Sequence, residues 1–197
     1  MSCGTELPAP FVDVLPEYAQ RYTYESLLGD TDPRLLHAGD AIRARGHILR
    51  NELYQIARWK SPRRADLVNH NLPETVERVT NEALVLKGSD PGRAVRLLDG
   101  LCGIGVPTAS AVLTVADPQN FGIVDVRVWK VLSAWQPNRF PYERRNRLQV
   151  ADFLCYLETI RELARASRLT CREVDMALWQ MDRERSSRSK DSCSSEP

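Results

Sequence analysis

Apolar residues recur at helical spacing along most of the chain, and few stretches show the period-two alternation of a strand. From Arg34 to Trp59 the positions Leu35, Leu36, Ile42, Ile48, Leu49, Leu53, Ile56 and Ala57 trace a helical stripe, with Gly46 as a break. The same periodicity predicts helices over Tyr18–Leu28, Ala65–His70, Pro73–Leu86, Gly92–Leu101, Thr108–Ala116, Val126–Trp135, Tyr142–Ala166 and Arg172–Met181. Pro73 followed by Glu74 suits a first helical turn, and Thr170 suits a cap. The turn Gly29-Asp30-Thr31-Asp32-Pro33 and the basic loop Lys60-Ser61-Pro62-Arg63-Arg64 punctuate the pattern, because proline disfavours a continuing helix. The fold class predicted is all-α.

Three regions follow from composition. Pro8, Pro10 and Pro16 predict an extended N-terminal arm over residues 1–16. Residues 17–182 read as one helical domain, with the hairpin at 92–116 inside it. Residues 183–197, RERSSRSKDSCSSEP, are serine- and charge-rich without apolar periodicity and read as a disordered tail. The 197 residues are 43% hydrophobic and 27% charged, an ordinary balance for a globular protein. No run approaches the roughly 18–20 apolar residues that span a bilayer, so no membrane partner is predicted. The N-terminal segment MSCGTELPAPFVDV lacks a basic and then apolar leader, which predicts a cytoplasmic protein, nucleoid-associated if bacterial.

The cysteines at 3, 102, 155, 171 and 193 are odd in number, scattered and free of any CxxC pair. That spacing disfavours a zinc site or an iron–sulfur cluster and reads as reduced thiols. His37, His47 and His70 are dispersed and form no ligand set. Net charge is +1, yet Arg43, Arg45, Arg50, Arg58, Lys60, Arg63 and Arg64 face a single acid, Glu52, over one short stretch. Such a cluster is a solvated helix face or a row of phosphate contacts. Arg139, Arg144, Arg145 and Arg147 form a second group.

Chemistry concentrates between Leu97 and Trp135. Leu101-Cys102-Gly103-Ile104-Gly105 reads as a tight turn between two helices that brings backbone amides to the surface. The amides from Gly105 to Thr108 would stand at a helix start, where unpaired N–H groups and the helix dipole favour an anion such as a DNA phosphate. Twenty positions after Gly105 comes Asp125, between Val124 and Val126 and ahead of a predicted helix. Asp125 suits a helix N-cap and also a catalytic carboxylate, and the two roles are compatible.

Over Leu97–Leu132, about a fifth of the chain, the strings LCGIGVPTASA and VDVRVWKVL resemble the helix-hairpin-helix DNA glycosylases, whose pattern is L-P-G-[VI]-G-x-x-T-A followed by V-D-[TV]-H/R-[VI]-x-R-[VL]. The resemblance implies a helix-hairpin-helix glycosylase-like fold with two helical lobes around a cleft, acting as a monomer on double-stranded DNA. It implies that Gly103, Ile104, Gly105, Val106, Thr108 and Arg127 hold the DNA backbone, and that Asp125 is the catalytic carboxylate. No organic cofactor is implied, although relatives can seat a monovalent cation among the hairpin carbonyls. Lineages that also cleave the strand carry a lysine two residues after the last hairpin glycine. Here that residue is Pro107, so a glycosylase using water, without lyase activity, is predicted. A second, shorter resemblance links Trp59-Lys60-Ser61-Pro62-Arg63 to a WK-x-P-R stretch in bacterial proteins of 8-oxoguanine-glycosylase fold. Trp59, Lys60, Arg63 and Arg64 are accordingly candidate DNA contacts, while Trp129, Trp135 and Trp179 read as core. The alternative functional reading is a catalytically inactive DNA-binding protein of the same fold.

Overall fold

The computed structural model describes residues 9–22 and 32–193. Among these the chain is all-helical, with no strand. Nine α-helices follow in order: α1 Ala9–Gln20, α2 Asp32–Arg45, α3 Arg50–Lys60, α4 Pro73–Leu86, α5 Pro91–Asp99, α6 Val106–Ala116, α7 Val126–Trp135, α8 Val150–Ser167 and α9 Cys171–Cys193. Two 3-10 segments, Pro62–His70 and Tyr142–Asn146, follow α3 and α7.

Local chemistry sets most of the boundaries. Pro73 opens α4, and Pro91 opens α5 behind Asp90, whose side chain accepts the Arg93 amide at 2.8 Å. The predicted stripe from Arg34 to Trp59 divides at Gly46, which has φ +79°, into α2 and α3. α6 is the centre of the molecule. It is apolar on every face, buried from Thr108 to Ala116, and touches α2, α3, α5 and α8. Around it the core gathers Trp129, Tyr156, Phe121, Phe140 and Phe153, all fully buried.

Four expectations are corrected. Residues 9–16 form a helix rather than an extended arm. α1 tolerates Pro16 because Leu15 is fully buried, Phe11 stacks on Trp135 at 4.7 Å, and the helix lies along α9. That packing outweighs one lost backbone hydrogen bond. The supposed tail is helical through Cys193, with Glu184 held by Gln180 and Arg21. Residues 1–8 and 194–197 lie outside the described residues. The helix expected over Tyr18–Leu28 is replaced by the end of α1, its remainder from Thr23 lying outside the described residues. The predicted helix Tyr142–Ala166 is a 3-10 turn and α8, separated at Arg147–Gln149, where Asp152 accepts the Gln149 amide at 2.8 Å. No helix among the described residues is long and apolar enough to cross a membrane. Cys102, Cys155 and Cys171 are free thiols.

Candidate functional site

Asp125 is the N-cap of α7. Its Oδ1 accepts the amides of Arg127 at 2.8 Å and Val128 at 3.0 Å, filling two of the helix's orphan donors. This pins the carboxylate and turns Oδ2 outward. The segment leading into it, Phe121 to Val124, is buried outside any helix; the Phe121 amide reaches the Asp117 carbonyl, and the amides of Ile123 and Val124 find side-chain acceptors. Asp175 Oδ2 accepts the Ile123 amide at 2.6 Å, and Ser110 Oγ accepts the Val124 amide at 3.2 Å. Gly122 lets this segment run against α8 and α9: a Cβ there would stand 2.8 Å from the Tyr156 hydroxyl and 2.9 Å from the Cys171 carbonyl oxygen. Burial, reinforced by the Asp175 carboxylate, holds the Tyr156 phenol well above its ordinary pKa, and burial pushes the Cys171 thiol up to about 11. Both stay neutral at neutral pH.

Asp125 opens into a cleft of about 440 Å³. Trp59 and Lys60 from the end of α3 form one wall, Arg172, Asp175 and Trp179 of α9 another, and Tyr22 the rim. Lys60 Nζ stands 3.3 Å from Asp125 Oδ2. Arg172 pairs with Asp175, both buried, donates to the Tyr22 hydroxyl at 3.2 Å, and lies 5.8 Å over the Trp59 ring. The Arg172–Asp175 pair thus joins the α3 wall to the segment that carries Asp125. Asp175→Asn removes the charge shared by Arg172 and the Ile123 amide. We expect about 3 kcal/mol of lost stability, read by denaturant unfolding, since half of a buried ion pair is removed.

No family model, curated protein or solved structure matches the chain.

The hairpin is built differently from the expectation of a bare surface turn. α5 and α6 flank it, and Gly103 has φ +84°. The 3-10 segment Pro62–His70 lies across it so closely that a Cβ on Gly103 would sit 2.9 Å from both the Arg64 carbonyl oxygen and the Val68 nitrogen. Gly103, Ile104, Val106 and Thr108 are buried and act as packing residues, with Thr108 Oγ1 3.2 Å from Ser61 Oγ. Gly105 alone of the predicted backbone-binding hairpin residues is partly exposed, and Arg64 Nη1 lies 3.8 Å from where its Cβ would be. Arg63 and Arg64, the candidate DNA contacts, are exposed. Arg127 does not serve the hairpin. Its guanidinium pairs with Asp182 at 2.7 Å and lies 5.2 Å over Trp179, on the cleft's α9 side. Trp59 is largely buried and reaches the cleft as part of its wall.

Sequence reasoning missed Asn71, Ser110, Arg172 and Asp175. Asn71 stitches the 3-10 segment to the hairpin: its amide donates to the Val68 and Cys102 carbonyls at 2.8 and 3.0 Å, and its Oδ1 accepts the Cys102 amide at 2.9 Å. Nothing in the local pattern distinguishes such an asparagine from a turn residue. Among the described residues no three His, Cys, Asp or Glu side chains gather into a metal-binding group. The hairpin carbonyls of Leu101, Cys102 and Gly105 each accept one internal hydrogen bond, from the Ile104 amide, the Asn71 side chain and the Ala109 amide respectively.

Proposed function

We propose that the chain is a DNA N-glycosylase that hydrolyses the bond between a damaged or mismatched base and its sugar. The observation that carries this reading is Asp125, fixed by two helix amides with its second oxygen turned into an aromatic-walled cleft. Loss of the base builds positive charge on the sugar, and a preorganised carboxylate stabilises that oxocarbenium-like state. The same oxygen orients and deprotonates the attacking water. The base is rotated out of the duplex between Trp59, Tyr22 and Trp179, at a cost of a few kcal/mol. The likeness of LCGIGVPTASA and VDVRVWKVL to the helix-hairpin-helix glycosylases supports the same reading and, with it, the finer fold of two lobes around the cleft.

In this reading Gly105, Arg63 and Arg64 hold the backbone of double-stranded DNA, and the hairpin carbonyls would seat a monovalent cation beside the phosphate. One protein molecule suffices, since the cleft and the basic rim belong to a single chain. The test is a panel of duplexes carrying 8-oxoguanine, alkylated purines, uracil or mismatches, with alkali used to reveal abasic sites. Base release from one member is the expected result. Duplex binding whose log Kd rises linearly with log salt, with no base released from any member, would instead identify a non-catalytic DNA-binding protein. Absence of duplex binding at low salt rejects both.

A further inference from the structure

The amine facing Asp125 comes from outside the hairpin. Lys60 closes α3, and its side chain is 11% exposed, against 26% for Lys87 in its pair with Asp117. Buried Trp59 precedes it and anchors the helix end. The next residue, Ser61, meets Thr108, the residue after Pro107, at 3.2 Å between their hydroxyl oxygens. The tertiary fold therefore brings a primary amine from α3 alongside the stretch of α6 that holds Pro107.

We infer that Lys60 is an imine-forming nucleophile that acts on the deoxyribose aldehyde of an abasic site and cleaves the DNA strand after the base has left. This rests on the DNA reading above and departs from the sequence expectation that Pro107 leaves the chain without lyase chemistry. Asp125 Oδ1 is committed to two amides, so Oδ2, 3.3 Å from Nζ, is the oxygen placed to take the ammonium proton. The freed amine adds to C1′ of the ring-opened sugar, and water leaves as the protonated imine forms. Water takes the C2′ proton, the released electron pair forms the C2′–C3′ double bond as the C3′–O bond breaks, and the phosphate departs on the downstream strand as a 5′-phosphate. Water then hydrolyses the conjugated imine, which restores the lysine and leaves an unsaturated aldehyde on the upstream strand. No oxidant or reductant is consumed. Two other lysines are placed elsewhere: Lys87 pairs with Asp117 at 3.2 Å, and Lys130 lies on α7 outside the residues lining the Asp125 cleft.

A preformed abasic-site duplex, made by removing uracil enzymatically, tests this without requiring the chain to excise any base. Sodium borohydride reduces an imine to a stable secondary amine, so the wild type should form a protein–DNA adduct whose peptide maps to Lys60. Lys60→Arg keeps a cation beside Asp125 but has no primary amine, and should lower adduct yield and strand cleavage about 100-fold. Lys60→Met provides a second amine-free variant, each checked for folding by its melting temperature. Lys87→Arg and Lys130→Arg should trap as the wild type does. An adduct that persists in both Lys60 variants, or maps to another lysine or the N-terminal amine, overturns the assignment. So does a wild type that binds a tetrahydrofuran-site duplex yet forms no adduct, and that result leaves the glycosylase reading standing. A wild type that binds no duplex at all overturns both.

Discussion

Asp125→Asn should abolish base release while the protein stays folded and binds duplex DNA within a few-fold of the wild type. Asparagine caps helices as well as aspartate does, and its carbonyl oxygen can still accept the Arg127 and Val128 amides. What the substitution removes is the negative charge that faces the cleft. A carboxylate that stabilises a developing cation and activates water contributes on the order of 10²–10⁴-fold in rate. Single-turnover base release, measured on whichever lesion duplex the wild type processes, should fall by at least that factor. Retention of full activity by the variant would remove Asp125 from the mechanism, because no other carboxylate lining the cleft has an oxygen turned outward in this way: Asp175 is committed to Arg172 and the Ile123 amide.

Gly103→Val should be the most damaging single change at the hairpin, and Gly105→Ala should separate fold from function. Gly103 sits at φ +84°, which costs a residue with a Cβ about 1–2 kcal/mol. Its Cβ would also press on two backbone atoms of the overlying 3-10 segment, at 2.9 Å each. The sum should exceed about 3 kcal/mol in denaturant unfolding, with duplex affinity lost as the segment carrying Arg63 and Arg64 lifts away. Gly105 is different. Its backbone is extended at φ −122°, and the nearest atoms to an added Cβ stand at 3.8 and 3.9 Å. Gly105→Ala should change stability by less than about 0.5 kcal/mol yet weaken duplex binding if a phosphate approaches that backbone. Unfolding curves and anisotropy titrations should show both properties lost in Gly103→Val and affinity alone reduced in Gly105→Ala. Equal loss of stability in both would show that the turn is merely a packing element.

The parts of this protein written in local pattern were legible. α4 and α7 carry the predicted bounds because Pro73 and Asp125 mark their starts chemically. The break at Gly46 was equally plain. The N-terminal arm was misread because proline was weighed without the burial of Leu15 and Phe11, a tertiary gain that no local rule contains. The tail was misread for a related reason, since its polar composition continues a helix already anchored by Met181 and Asp182. At the site, Asp125 was visible from its spacing to the hairpin, whereas its ion pair with Lys60 was not. Those residues are 65 positions apart, and only the seating of α3 against α6 brings them together. The overlying 3-10 segment covers Gly103 for the same reason: burial is a property of what lands on a turn, not of the turn itself.

The dependence of the Asp125 segment on Asp175 has a consequence for biosynthesis. The segment emerges from the ribosome some fifty residues before the carboxylate that fastens it, at about 5–20 residues per second. A nascent chain that lacks α9 has Asp125 but neither the Ile123 anchor nor the cleft's Arg172 and Trp179 wall. The cleft around Asp125 therefore gains its α9 wall only once the last helix is synthesised, which ties assembly of the proposed site to the arrival of α9.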